Sequence, residues 1–155
     1  MPAPLRERLA LDPGSPEVDG LTLLLLTLRD DGWPHQAMLS VGELCCPADD
    51  RVRLATWPAS TATANLRTRG RATLTAVVGG VAYALRLRTL SSGELAAGAR
   101  SGALVGFELE VVAATADEAP YARLLDGVRF ALNDRPATIE RWREVRAALC
   151  AEAPR

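Results

Sequence analysis

Lysine is missing from this sequence, and histidine occurs once, as His35. The 18 strongly basic residues are therefore all arginines, and 19 acidic residues leave a formal net charge of −1. Proteins that bind nucleic acid or anionic membrane surfaces carry an excess of positive charge, which this chain lacks. One histidine also leaves too few ligands for an ordinary zinc site. We therefore expect no nucleic acid, membrane or metal as a partner.

Cysteine is scarce too, with Cys45 and Cys46 adjacent, Cys150 alone and no CxxC pair. Neighbouring cysteines rarely bridge each other, because a disulfide needs a wider Cα separation than they easily reach. We therefore expect reduced thiols in a cytoplasmic protein. No apolar run is long enough to span a bilayer, and charged residues at positions 6–8 stand where a signal peptide needs apolar ones. Export is not expected.

The usual catalytic motifs are missing as well. There is no Walker loop, no GxGxxG after a strand, and no nucleophile motif to form a triad with His35. The acidic pairs Asp30-Asp31 and Asp49-Asp50 lie at the ends of predicted strands, where they are explained best as solvated turn residues. The sequence therefore predicts no catalytic residue.

What is present is a series of short apolar segments separated by turn residues. Asp31-Gly32 and Gly79-Gly80 are typical of tight hairpins. The predicted strands cover residues 21–29, 33–42, 51–57, 71–78, 83–90 and 103–115. Six strands of this kind in one domain of 155 residues favour a mainly β protein with a closed antiparallel barrel. We divide the chain into an N-terminal arm with a short helix (1–19), the barrel (20–115) and C-terminal helices (116–155).

Helices are predicted in the middle and at the end of the chain. A short one begins after Ser60 and ends at Gly70, between the third and fourth strands. In the tail, Pro120 is well placed to open a helix, and another begins near Pro136. The apolar stripe of this last helix consists of Ile139, Trp142, Val145 and Leu149.

The start of the short helix has two explanations. A helix N-terminus presents unpaired backbone N–H groups at the positive end of the helix dipole, which suits a phosphate group. Ser60, Thr61 and Thr63 add hydroxyl groups to this turn. Such residues are also common as plain N-caps. The residues alone leave both explanations open.

In their order and spacing, four segments resemble a known family. They are DDGWPHQAMLSV (30–41), RVRLATW (51–57), STATANLRTRGRATL (60–74) and YALRLRTL (83–90). Over roughly residues 20 to 90 the chain resembles the pyridoxamine 5′-phosphate oxidase-like, FMN-binding split-barrel family. The resemblance implies a six-stranded antiparallel split β-barrel that forms a homodimer and binds FMN in the groove between its subunits.

The resemblance also implies a set of FMN-binding residues. Those that would lie along the flavin ring are His35, Gln36, Met38 and Ser40, in the second strand. Thr56 would approach the phosphate or the ribityl chain. Ser60 and Thr61, at the start of the helix, would meet the phosphate itself.

Several positions depart from the family pattern. Thr61 and Ala62 stand where members that bind FMN tightly commonly have Arg-Lys. His35 and Ser40 replace an Arg and a Lys, and Ala84 replaces a Gln that contacts the flavin. A phosphate dianion without charged partners is poorly compensated, since charge-assisted hydrogen bonds are roughly twice as strong as neutral ones.

A substitute charge must therefore come from elsewhere. Arg86, Arg88, Arg53 or a residue of the second subunit can supply it, and we assign Arg86 to the site. The C-terminal Trp and Arg strand of a true pyridoxamine 5′-phosphate oxidase is missing, so that activity is not predicted. Two hypotheses stay open: an FMN-dependent oxidoreductase of unknown substrate, and a non-enzymatic split-barrel dimer that has lost FMN and binds a small ligand or a partner. A relative that uses deazaflavin or haem is a third.

Overall fold

The fold is built on one seven-stranded sheet, in a computed structural model that describes residues 1–98 and 100–151. The strands are β1 (Leu23–Leu28), β2 (Pro34–Leu39), β3 (Leu44–Ala48), β4 (Arg51–Thr56), β5 (Arg71–Val78), β6 (Val81–Leu95) and β7 (Leu104–Asp117). They lie in the order β2-β1-β5-β6-β7-β4-β3, and all neighbours are antiparallel. The predicted mainly β, antiparallel architecture is confirmed.

Side chains alternate between the two sides of the sheet, and this alternation separates the core from the outer surface. In β5, for example, Ala72 and Leu74 are buried, whereas Thr73 between them is partly exposed. Leu85 from β6 and Phe107 from β7 are fully buried on the same inner side. The outer side is therefore left to polar residues and to a number of exposed apolar ones.

The prediction of six strands is wrong by one, because residues 44–48, which lie outside the predicted strands, form a strand. After a 3-10 turn (Val41–Glu43), β3 pairs with β4 through Leu44 opposite Leu54 and Cys45 opposite Arg53. Pro47 favoured a loop at this position. It is tolerated because β3 is an edge strand, where a missing N–H need not cost a ladder hydrogen bond.

The prediction of a closed barrel is also wrong. The two edge strands of the sheet are β2 and β3, and they do not pair with each other in the described part of the chain. In the long central pair, β6 and β7 change register between Arg86 and Leu87 and again between Thr89 and Ser91. Such irregularities bend and twist a strand, but here they stop short of closing the sheet.

Three α-helices pack on this sheet: α1 (Ala3–Ala10), α2 (Thr61–Arg69) and α3 (Arg135–Ala151). The short helices of the N-terminal arm and after Ser60 are confirmed. Gly70 ends α2 in the left-handed conformation, with a φ of +63°, as a helix-terminating glycine commonly does. No helix in the described residues is long and apolar enough to cross a membrane.

The predicted helix after Pro120 is absent, so the tail, as far as Ala151, has one helix rather than two. Tyr121 is 91% exposed and Leu125 is 84% exposed, which shows that this apolar pattern has no surface to pack against. Most stability of a short helix comes from such packing. The segment instead runs along the sheet and forms an isolated bridge between Leu21 and Arg129.

The apolar stripe predicted for the last helix is confirmed, and a disulfide holds that helix to the sheet. The four residues Ile139, Trp142, Val145 and Leu149 are all buried. Cys150, near the end of α3, is bonded to Cys45 in β3, with 5.8 Å between their Cα atoms. The expectation of reduced thiols is therefore wrong for this pair, because the fold brings together two cysteines that are 105 positions apart. Disulfides are rare in the cytosol, so cysteine usage no longer supports a cytoplasmic location.

Candidate functional site

The outer side of strands β2, β1, β5 and β6 brings several predicted site residues together. Gln36 lies opposite Leu26, which lies opposite Thr73, which in turn lies opposite Arg86. We call this surface the outer face; its residues are Leu24, Leu26, Gln36, Met38, Thr73, Thr75, Ala84 and Arg86. Gln36, Met38 and Arg86 therefore share one surface, as a common ligand would require.

A cleft of about 490 Å³ opens on the outer face. Its apolar wall is formed by Leu26, Leu28 and Val112. Its polar part contains Thr73 and three arginines, at positions 71, 86 and 88. Ligand sites commonly combine a largely apolar lining with a few convergent polar groups, and this cleft has that composition.

The three arginines of the cleft differ in their partners. Arg88 donates to Glu110 from Nε, with 3.0 Å between Nε and Oε2. The guanidinium groups of Arg71 and Arg86 have no ion pair or hydrogen bond within the described residues. Both side chains are exposed. Two positive charges therefore face the cleft without a counter-charge.

At the start of α2, the hydroxyl groups bond to one another. The Thr63 hydroxyl donates to the Trp57 carbonyl at 2.7 Å, so its oxygen can only accept from other hydroxyls. Thr56 Oγ1 lies 2.5 Å from Thr63 Oγ1, and Ser60 Oγ lies 3.0 Å from it. Thr56 and Ser60 must then be the donors in these two contacts. Ser60 also accepts from the Thr63 backbone N–H, as an N-cap does.

This network leaves few donors for a phosphate at the helix start. The hydroxyl protons of Thr56 and Ser60 are engaged inside the protein, and Thr61 carries the one exposed hydroxyl of the three predicted contacts. Ala62 is buried and uncharged. At the helix start, Thr61 and Ala62 therefore supply no charge for a phosphate dianion, whereas the cleft contains two arginines without counter-charges beside an apolar wall.

We expect Thr63→Val to lower the free energy of unfolding by about 1–3 kcal/mol, because it leaves buried hydrogen-bonding groups without partners. Thr63 is almost fully buried, and valine keeps its shape. The matched control is Thr61→Val in the same helix, where the side chain is exposed and the change should be within about 0.5 kcal/mol. Urea unfolding measures both, and equal stabilities would contradict the network.

His35 and Ser40 lie away from the outer face. His35 is opposite Thr27 and points with it to the inner side, where Asn65 Nδ2 donates to Thr27 Oγ1 at 2.9 Å. Ser40 is buried, and both its backbone N–H and its hydroxyl bond to Glu43 Oε2, at 2.8 and 3.0 Å. Ser40 thus begins the 3-10 turn before β3.

The helix start and Arg86 are far apart within the chain. Thr56 is opposite Val105, and Arg86 is opposite Ala113, eight positions further along β7. This corresponds to a path of about 27 Å along an extended strand. Six of the predicted residues therefore form two separate groups in one chain. Thr56, Ser60 and Thr61 lie at the helix start, whereas Gln36, Met38 and Arg86 lie on the outer face.

Of the other predicted sources of charge, Arg53 is already engaged. It contacts Glu108 at 3.4 Å and donates to the Leu149 carbonyl at 3.0 Å. Sequence reasoning missed Arg71, although a two-residue turn at Gly79-Gly80 sets the β5–β6 register and places Arg71 opposite Arg88. Glu110, the partner of Arg88, could not be found from the register of this hairpin, because it lies on β7, outside the hairpin.

The unpaired cysteine offers no obvious chemistry. Burial raises the pKa of the Cys46 thiol to about 11, so it is protonated at neutral pH. A protonated thiol is a weak nucleophile. Cys46 is therefore best explained as a core residue.

Comparisons with known proteins agree with this architecture. No family model matches the chain. The uncharacterized protein YclD of Bacillus subtilis (strain 168) is 32% identical over 121 residues, which cover 78% of this chain and 77% of YclD. A solved F420 reductase has 12% identity and a TM-score of 0.54, covering 63% of this chain and 91% of its own.

Two further solved structures share the fold. An FMN-binding protein from Syntrophomonas wolfei has 14% identity and a TM-score of 0.51, covering 74% of this chain and 88% of its own. A candidate pyridoxamine 5′-phosphate oxidase from Lactobacillus delbrueckii has 15% identity and a TM-score of 0.51, covering 61% of this chain and 83% of its own. At such identities these likenesses concern the fold.

The protein is thus an open split barrel with a cationic cleft on its outer face. It belongs to the same family as YclD, and its fold is that of the pyridoxamine 5′-phosphate oxidase-like, FMN-binding split-barrel proteins. The resemblance seen in the sequence is therefore confirmed for the fold family.

Proposed function

We propose that this protein binds FMN on its outer face, as a homodimer, and that it is a flavin-dependent oxidoreductase of unknown substrate. The observation that carries the proposal is the row from Gln36 to Arg86, which borders a cleft with an apolar wall and unpaired positive charge. An FMN molecule combines a flat apolar ring system with a phosphate dianion, so it matches both properties. The neighbours described as an F420 reductase and an FMN-binding protein support a flavin-type cofactor.

The roles left to the chain are binding, orientation and exclusion of water. When bound, FMN itself supplies the hydride or electron chemistry. Leu26 and Val112 offer apolar surface to a ring, and Gln36, which lies opposite Leu26 on the neighbouring strand, offers both a hydrogen-bond donor and an acceptor. The described part of the tail ends in the helix α3, up to Ala151, rather than in the strand of a true pyridoxamine 5′-phosphate oxidase, so that activity is not part of the proposal.

Cofactor uptake tests the proposal directly. We expect the purified protein to be yellow, or to become so on addition of FMN, and to quench flavin fluorescence with a micromolar or lower dissociation constant. Deazaflavin F420 serves as the comparison ligand. If the protein binds F420 more tightly than FMN, F420 replaces FMN as the proposed cofactor. Protein that stays colourless and fails to bind either cofactor at micromolar concentration would refute the flavin function.

Dimerisation is the second part of the proposal. Met38 is 66% exposed and Val112 is 59% exposed on or beside the outer face, and a second copy of the chain would remove these apolar side chains from water. We expect Met38→Asp to convert the dimer to a monomer in light scattering. Ala137→Asp, on the exposed side of α3, is the control and should stay dimeric. A monomeric wild-type protein would contradict the groove between subunits.

A second function is favoured by the hydrogen bonds at the helix start. Because Thr56 and Ser60 donate to Thr63, the chain keeps the shape of this turn without offering their hydroxyls to a phosphate. Such a helix start is expected in a split-barrel dimer that has lost FMN and now binds another small ligand or a partner. A protein that is dimeric but takes up no flavin would have this function.

A further inference from the structure

The charge of the cleft is held in place by the sheet. The β5–β6 hairpin puts Arg71 directly opposite Arg88, and Thr73 directly opposite Arg86. Like charges directly opposite each other on antiparallel strands are destabilising. Glu110, paired with Arg88 across the β6–β7 ladder, neutralises one charge of the three. Arg71 and Arg86 are diagonal neighbours on this hairpin, which long side chains can bridge, and neither has a counter-charge among the described residues; a bound anion would supply one.

The chemistry of these groups indicates the kind of anion. A guanidinium group presents a planar fork of N–H donors that matches the oxygens of a phosphate, and two such groups balance the charge of a phosphate monoester dianion. Beside them, Leu26, Leu28 and Val112 form an apolar wall. A ligand with a phosphate at one end and an apolar body at the other therefore fits the whole cleft.

We propose that Arg71 and Arg86 form the phosphate-binding position of this protein and that the cleft accepts a phosphate monoester with an apolar body. The inference deepens the proposed function, since FMN is one such ligand, but other phosphate monoesters share this chemistry. It moves the phosphate from the start of α2, where the hydroxyl donors of Thr56 and Ser60 are engaged, to the outer face of β5 and β6.

The test compares ligands with and without the phosphate. FMN and riboflavin are titrated by fluorescence quenching into wild type, Arg71→Ala/Arg86→Ala, Thr61→Ala and Arg67→Ala. We expect the double variant to lose at least tenfold in FMN affinity and nothing in riboflavin affinity, because charge-assisted hydrogen bonds to the phosphate are lost. Arg67, an exposed arginine of α2, is the matched control, and its variant should bind both ligands as wild type does. Every substituted residue is exposed, so the variants and wild type should have nearly equal melting temperatures.

Calorimetry with phenyl phosphate keeps this inference separate from the flavin function. If no flavin binds, but phenyl phosphate binds to wild type and not to the double variant, the flavin function fails and the phosphate position stands. The proposed phosphate position is wrong if the double variant binds FMN as tightly as wild type does. It is also wrong if Thr61→Ala abolishes the preference for FMN over riboflavin while the double variant retains that preference. Absence of binding by both FMN and phenyl phosphate overturns it as well.

Discussion

Loss of the Cys45–Cys150 disulfide should lower the free energy of unfolding by about 3–4 kcal/mol. The bond joins residues 105 positions apart and so restricts a large part of the unfolded chain. For a loop of about this length, the chain-entropy estimate is close to 5 kcal/mol, and removal of native disulfides typically costs about 2–5. The bond also holds α3 against β3, so its loss should loosen the C-terminal helix first.

Cys150→Ser is the suitable variant, because Cys150 is exposed and the buried Cys45 can remain as a thiol. Urea unfolding of wild type and variant, each with and without reductant, measures the effect. Reduced wild type should match the variant, and reductant should leave the variant unchanged. If oxidised wild type and Cys150→Ser unfold at the same urea concentration, the two cysteines are not bonded in solution.

Gly42→Ala should also be strongly destabilising, by about 2–4 kcal/mol, for a reason of packing. A Cβ atom at Gly42 would overlap the Cβ and Cγ atoms of Trp142, whose ring packs over the 3-10 turn before β3. Forcing extra carbon into a packed core typically costs about 1–3 kcal/mol, and more where the backbone must move. Trp142 is the large buried residue of the α3 stripe, so the whole helix would have to shift.

A double-mutant cycle identifies the cause. In a Trp142→Gly background, which removes the Cβ, Cγ and ring atoms, the overlap is gone, and Gly42→Ala should then cost less than about 1 kcal/mol. Thermal or urea unfolding of the four proteins gives the coupling energy. Equal costs of Gly42→Ala in both backgrounds would show that α3 does not pack on this turn.

Both effects concern the edge of the sheet at β3, where sequence reasoning was weakest. Pro47 and the aspartates after it favoured a loop there, and nothing local shows that β4 offers an edge to pair with. Cys45 and Cys150 likewise carry no sign of each other in the sequence. The absent helix after Pro120 is the converse case, because its apolar pattern is real but no surface lies beside it to bury that pattern.

The candidate site likewise combines features that the local sequence shows with features that depend on long-range strand pairing. Alternation along β2 puts Gln36 and Met38 on one side of the sheet and His35 on the other, so strand geometry alone separates His35 from two residues with which the resemblance groups it. The tight turn at Gly79-Gly80 was enough to pair Arg71 with Arg88. That Arg86 shares a surface with Gln36 depends on β1 lying between β2 and β5, which only long-range pairing decides.

By itself, the sequence determined the features that depend on near neighbours in the chain: the alternating strands, the hairpin turns, the cap of α2 at Ser60 and its end at Gly70, and the resemblance to the split-barrel family. The tertiary structure alone decided the seventh strand, the open sheet, the disulfide and the unpaired charge in the cleft. Local patterns set which way a side chain points, because they act through the geometry of one strand or turn. What each side chain then meets depends on segments distant in sequence, whose pairing is chosen by the packing of the whole core.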